Sequence, residues 1–274
     1  MYYRHDLTKY KYPEQCDAHM ITVKRVRKLS FDENYRYLDK RFSFKLKKLI
    51  YYPLLYLIVF PITKIVHGLK VHGKENLKKN KELFKDGAIT ICNHVCMWDY
   101  LCMLNGIRPY APYFPVWKNN VEGPMGPLIR MSGGIPVPDN VKGMAKFNEA
   151  IEEVLSSNKW LHFFPEGSMW FFYPDIRPLK KAVFRYAVKF DKPIIPITMS
   201  MRPRKGIMRL FLKTPCIDMH IGEPLLVNKD LVAPRAVEDL RSRAYHVMQV
   251  MNGITPDSPT YNTDLNPFNY KKTM

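Results

Sequence analysis

From about residue 68 onward, short apolar runs rich in β-branched and aromatic residues alternate with longer amphipathic stretches. The runs predict strands over residues 69–72, 88–92, 113–117, 135–137, 160–164, 193–199, 208–212 and 217–221. The intervening stretches predict helices over residues 97–105, 125–131, 141–156, 179–190 and 234–251. Strands alternating with helices imply an α/β fold with a mixed, partly parallel sheet flanked by helices, and reactive groups near the carboxyl ends of strands. No internal repeat is apparent.

Before this alternation the pattern is different. Residues 1–43 are polar, basic and Tyr-rich without a sustained period, which predicts a loosely ordered arm or a short surface helix. Residues 49–62 form an uncharged run with Lys45, Lys47 and Lys48 before it and Lys64 after it. As a helix these fourteen residues rise about 21 Å, short of a hydrocarbon core of about 30 Å, and Pro53 and Pro61 interrupt its hydrogen bonding. The segment is therefore expected to dip into a membrane from one side rather than cross it. Its alternative is a buried core helix; the flanking lysines, each worth about 1 kcal/mol beside an anionic leaflet, favour the membrane. The division that follows is a basic arm and monotopic segment at 1–66, a catalytic domain at 67–252, and an irregular tail at 253–274 with Pro256, Pro259 and Pro267.

Charge sharpens this division. The net charge is +18, and residues 1–85 carry 20 Lys/Arg against 8 Asp/Glu, so most of the excess lies near the N-terminal third. An anionic partner is implied there: a membrane surface, an anionic substrate or nucleic acid. The five cysteines are few, scattered and odd in number for a chain of 274 residues, which argues for reduced thiols rather than a disulfide framework. No apolar h-region stands in the first twenty residues, so the expected location is the cytoplasmic face of the cell membrane, peripheral or monotopic.

Two polar islands follow predicted strands: Asn93-His94-Val95-Cys96-Met97-Trp98-Asp99, and Phe164-Pro165-Glu166-Gly167-Ser168. On one helix a spacing of five places His94 and Asp99 about 140° apart, so they meet only if His94 precedes the helix and Asp99 lies in its first turns. Asn93 is a plausible cap for such a corner. Asp99 then fixes the imidazole tautomer, and the other ring nitrogen is free to take a proton from a hydroxyl. Cys92, His94 and Cys96 in alternation also invite a metal reading, but C-x-H-x-C lacks the paired spacing of structural zinc sites.

The pairing of NHxxxxD with FPEGS resembles the glycerolphospholipid acyltransferase family, which includes the PlsC-type 1-acylglycerol-3-phosphate acyltransferases. The likeness runs from about Val71 to Ile197, with Val71 to Leu77 as an opening block, Gly133 to Val137 as a glycine-then-strand block and Pro193 to Ile197 as a fourth. The resemblance implies transfer of a fatty acyl group from acyl-CoA or acyl carrier protein to the hydroxyl of a lysophospholipid, most simply 1-acylglycerol 3-phosphate to give phosphatidic acid. It makes His94 the general base, Asp99 its orienter and Glu166 with Gly167 the acceptor loop, Ser168 being a further donor. The acyl thioester is already activated, so no protein nucleophile, metal or bound cofactor is implied.

Two positions depart from the family pattern. Asp139 or Asn140 stands where an arginine usually closes the glycine-then-strand block, and Met169 where one commonly follows the FPEGS motif. Bidentate phosphate recognition by those arginines is absent. Lys118, which matches a family lysine, Arg130, Arg177, Lys180 or Lys181 is then expected to hold the phosphate, the run Arg177 to Lys181 offering three cations soon after the acceptor loop; otherwise the acceptor lacks a phosphate. Two other functions remain open, a thioesterase using the same pair on water and a basic nucleic-acid-binding protein. No nucleic-acid motif supports the latter, and the expected partners are an anionic membrane surface, the lysophospholipid and the acyl donor.

Overall fold

The structure, a computed structural model, describes residues 7–254. The expected tail at 253–274 therefore lies outside the described residues except for Gly253 and Ile254. In chain order the helices are α1 (Phe42–Leu54), continued through a π-helical turn (Leu55–Val59) into α2 (Phe60–Ile65), then α3 (Lys74–Lys79), α4 (Asp99–Gly106), α5 (Lys118–Glu122) and α6 (Gly126–Met131). After these come α7 (Val141–Ser156), α8 (Ala182–Phe190), α9 (Met208–Phe211) and α10 (Ala233–Met251). The strands are β1 (Lys70–His72), β2 (Ile89–Cys92), β3 (Phe114–Trp117), β4 (Gly134–Val137), β5 (Leu161–Phe163), β6 (Ile194–Arg202) and β7 (Cys216–Ile221).

Five strands form a sheet in the order β1-β7-β6-β2-β5, parallel except where β6 meets β7. The parallel pair β3 and β4 continues it beyond β5 through a bridge from Tyr113 to Leu161. Helices cover both faces, as parallel strands require, and β2 is buried throughout. Side-chain alternation divides the core. Ile195, Ile197, Met199, Ile217 and Met219 point to the layer with α4 and the long N-terminal helix, while Ile89, Ile91 and Ile194 face α7, α8 and α10.

Three expectations need correction. Residues 208–212 are not a strand: β6 and β7 pair directly with each other, so the residues between them form a connecting loop with the short α9 at its tip. The arm before α1 is irregular but not loose. Phe31 and Tyr37 are buried, and Arg130 ties the arm down by donating to the carbonyls of Tyr37 and Arg36 at 2.8 and 2.6 Å.

The helix that holds the apolar run, finally, extends beyond those fourteen residues and is not broken by its prolines. A near-continuous helix covers Phe42–Ile65, 24 residues or about 36 Å. Pro61 has no N–H and its ring crowds the preceding turn; the wide π turn just before it, closed by the Phe60 N–H on the Leu55 carbonyl, is where the helix absorbs this. One face is packed: Leu55 and Phe60 are buried, Tyr51 hydrogen-bonds Ser132 at 2.5 Å, and Asn105 donates to Thr63 Oγ1 at 2.8 Å. The opposite face carries Phe42, Leu46, Leu49, Ile50, Leu54, Leu57, Ile58 and Ile65, all exposed and spaced at helical intervals.

Candidate active site

The site begins where β2 ends. Asn93, fully buried, does not cap α4. Its side chain donates to the Met199 carbonyl at 3.0 Å and accepts from the Met199 N–H at 2.7 Å, carrying the β2–β6 ladder one residue further through an amide side chain. The chain then turns, and α4 starts at Asp99. His94 thus precedes the helix and Asp99 opens it, the arrangement in which a spacing of five lets them touch.

His94 Nδ1 lies 2.6 Å from Asp99 Oδ2. The same carboxylate is buried in a nest of backbone donors: the N–H groups of Val95 and Cys96 reach Oδ2 at 3.0 and 3.3 Å, and that of Tyr100 reaches Oδ1 at 2.8 Å. A carboxylate that accepts from every neighbour assigns the proton on the imidazole to Nδ1 and leaves Nε2 as the acceptor nitrogen. The His94 ring stacks on Phe164, with centroids 4.0 Å apart and planes at 15°. Its side chain is one quarter exposed, so the ring is clamped on one side and open on the other. Cys92 and Cys96 flank it as neutral thiols, pushed well above the usual range by burial and then by the Asp99 charge. Among the described residues no group of three or more His, Cys, Asp or Glu side chains is placed to hold a metal.

The second island is joined to the first by its backbone. Trp170 N–H donates to the His94 carbonyl at 3.0 Å and Phe172 N–H to the Val95 carbonyl at 2.8 Å. Glu166 completes the join from the inside. It is 2% exposed; its Oε2 accepts from the His94 N–H at 3.0 Å and from Arg177 Nη2 at 2.8 Å, and its Oε1 from the Arg177 N–H at 2.8 Å. Arg177, equally buried, also donates to Ser168 Oγ at 3.0 Å, to the Ser168 carbonyl and to the Cys16 carbonyl at 2.7 Å, with its guanidinium 4.4 Å from the Trp170 ring centre.

These contacts place four side chains singled out in the sequence inside the protein's own hydrogen-bond network. Glu166 is occupied in holding the two islands together rather than presented to a hydroxyl. Ser168 is buried against Arg177 rather than offered as a donor. Arg177 is consumed inside the loop and is not a cation for an incoming phosphate; Arg130 is likewise spent on the carbonyls of Arg36, Tyr37 and Gly134. Gly167 stays exposed at the turn with φ +87°, a left-handed conformation that favours glycine.

Of the expected cations, Lys118 and Lys180 are held in ion pairs near the surface. Lys118 pairs with the exposed Asp139. Lys180 pairs with Asp17 of the arm at 2.9 Å, and its ammonium lies against Gly167, 2.9 Å from where a β-carbon on that glycine would sit. Lys181 turns away to Glu238, and Met169 is buried.

Sequence reasoning missed the arm's part in the site. Tyr12 donates to the Phe171 carbonyl at 2.8 Å, Trp170 Nε1 to the Ala18 carbonyl at 3.0 Å, and the His19 ring stacks on Trp117 at 3.9 Å. Partial burial, with the charges of His94 and Lys180, moves His19 below its ordinary range. Also missed was His162, fully buried with Nδ1 2.8 Å from Thr90 Oγ1 and its ring edge-on to Phe164. Burial first, then His94, pushes it down to about 3, so it stays neutral behind the ring that His94 stacks on. The arm has no periodic signal that could have placed it, and the strand expected over 160–164 carries no sign of what His162 would contact.

Residues 68–200 match the family model described as Acyltransferase. The chain is also similar to the crystal structure of the 1-acyl-sn-glycerophosphate (LPA) acyltransferase, PlsC, from Thermotoga maritima, at 18% identity and TM-score 0.48, covering 78% of this chain and 86% of that one. No curated protein matches the chain.

Proposed function

We propose, from the acyltransferase-family domain at residues 68–200, that this protein transfers a fatty acyl group from acyl-CoA or acyl carrier protein to the hydroxyl of a lysophospholipid. The supporting observation is the 2.6 Å contact between His94 Nδ1 and Asp99 Oδ2, with Nε2 left as the acceptor nitrogen of a partly exposed ring. In the proposed reaction His94 Nε2 takes the proton as the acceptor oxygen attacks the thioester carbonyl. The tetrahedral intermediate then collapses, the carbon–sulfur bond breaks, and the proton on Nε2 passes to the departing thiolate. Phe164 and Asp99 keep the ring in place, so little rotational freedom has to be lost on the way to the transition state.

The finer acceptor reading is 1-acylglycerol 3-phosphate, with Lys118 and Lys180 as the cations for its phosphate. Both sit in exposed ion pairs, worth at most about 1 kcal/mol, which a dianionic head group can displace. The carboxylate of Asp139 in an arginine's position favours a second reading, an acceptor without phosphate. Thioester hydrolysis is a third, using the same His94 with water.

Attachment to an anionic membrane is supported by the exposed apolar stripe of the Phe42–Ile65 helix. Its inner face is packed on the domain from Tyr51 to Thr63, so the protein body lies alongside the helix, and attachment from one side fits better than a crossing.

Labelled acyl-CoA or acyl carrier protein, incubated with the protein and a panel of lysolipids differing in head group, tests these readings together. Acylated lysophosphatidic acid is the expected product; free fatty acid alone would establish the thioesterase instead. His94→Ala should lower turnover by about 10²–10⁴-fold with the thermal transition unchanged. Retained turnover in a folded His94→Ala protein removes the histidine from the mechanism.

A further inference from the structure

The loop between β6 and β7 presents a second apolar surface. Ile207, Leu210 and Phe211, around the single turn of α9, are 71, 76 and 73% exposed, and nothing lies within 4 Å of a β-carbon built on Gly206 beside them. Three large apolar side chains held together in water at the tip of a connection are unusual for a surface loop and mark an interaction site. The cations Lys205, Arg209 and Lys213 are interspersed among them and are exposed. Among the described residues, no carboxylate lies in the segment 203–215.

The base of this loop is tied to the end of the long N-terminal helix. Arg204 donates to the Val66 carbonyl at 2.5 Å and to the Thr214 carbonyl at 3.1 Å, while Ile217 N–H donates to the His67 carbonyl at 2.9 Å. Exposed Ile65 ends the helix one residue before Val66, so the loop that carries the second apolar surface springs from the end of the first, although their sequences lie far apart. The His67 ring in turn lies 5.2 Å from that of Trp98, beside the exposed Met97 of the His94 corner.

We infer that the 205–213 loop is a second membrane-inserting element, which buries Ile207, Leu210 and Phe211 at the surface of an anionic bilayer while Lys205, Arg209 and Lys213 meet lipid phosphates. Charge complementarity selects the occupant: an apolar cluster ringed by unopposed cations matches the interface of an anionic leaflet. With the helix it gives two attachment points, which fix the protein's rotation on the surface where one helix alone does not. The inference depends on the proposed membrane attachment and adds a location to it.

Flotation of the full-length protein with vesicles of phosphatidylcholine, with and without phosphatidylglycerol, tests it. Ile207→Asp/Leu210→Asp/Phe211→Asp, at positions already in water, should fold normally and lower the partition coefficient at least about tenfold. Lys205→Gln/Arg209→Gln/Lys213→Gln should weaken binding only to the anionic vesicles and flatten its salt dependence. A triple-aspartate protein that partitions within about twofold of the unmodified chain overturns the loop assignment. The same result with loss of binding in Leu49→Asp/Leu57→Asp leaves the helix attachment standing and the loop refuted. An unmodified chain that fails to float with anionic vesicles defeats membrane attachment itself.

Discussion

His94 and Asp99 could be paired from their spacing, because a backbone that turns from strand to helix has few ways to bring such residues together. The fate of Glu166 and Arg177 could not. A charged residue in a turn reads as solvated, and only tertiary burial reveals that these two neutralise each other inside the protein. His162 is similar: alone in a strand it carries no sign of its low proton affinity. Its folded-state value of about 3 lies below the unfolded value of about 6.5, so below pH 6.5 the unfolded chain binds a proton that the folded protein refuses. Stability from this residue is therefore complete above pH 6.5 and drains away as the pH falls toward 3. Between pH 7 and 4.5 the unfolding free energy of the wild type should drop by roughly 2–3 kcal/mol more than that of His162→Gln. Parallel urea titrations check this, and equal pH dependence of the two proteins contradicts it.

At the scale of elements, the strands and long helices were legible because they are periodic and bounded by turn residues. Helix α7 falls on its expected span, and all seven strands start within one residue of where they were expected. Helix α3, polar almost all round, and the short α5 gave no amphipathic signal. The misreading of 208–212 came from local alternation in Met-Arg-Leu-Phe-Leu, which has no neighbouring strand to pair with once β6 and β7 bond to each other. Pro53 and Pro61 misled in the opposite direction, since packing against α4 and α6 sustains a helix that local chemistry would interrupt. The join between elements also depends on one side chain. Asn93→Ala leaves both polar groups of Met199 without their partner in a buried place, at a cost of about 2–4 kcal/mol. Because His94 is the next residue, turnover should fall along with the midpoint of denaturation. A variant with unchanged midpoint removes Asn93 from the support of the site.

Across the whole molecule, Glu166 connects three distant parts of the chain. It takes the N–H at the end of β2, holds the guanidinium eleven residues ahead in its own loop, and through that guanidinium reaches the arm at Cys16. Glu166→Gln leaves a buried positive charge without its counter-ion and should destabilise the protein by about 3–5 kcal/mol. Replacing the pair together, Glu166→Gln/Arg177→Met, should recover part of that loss in thermal melts; a double variant less stable than the single would show that the charges do not act as a pair.

Two surface ion pairs have one more consequence. Lys118 and Lys180 are each held by a carboxylate, Asp139 and Asp17, and both acids are drawn below their ordinary range first by hydrogen bonding to the lysine. On the proposed reading the protein carries its own intramolecular competitors for the head group. Admission of an anionic lipid displaces them, and departure of the diacylated product is assisted by their return. Such self-competition sacrifices some ground-state affinity, equally for substrate and product, and in exchange keeps a sticky anion from becoming a trap between turnovers.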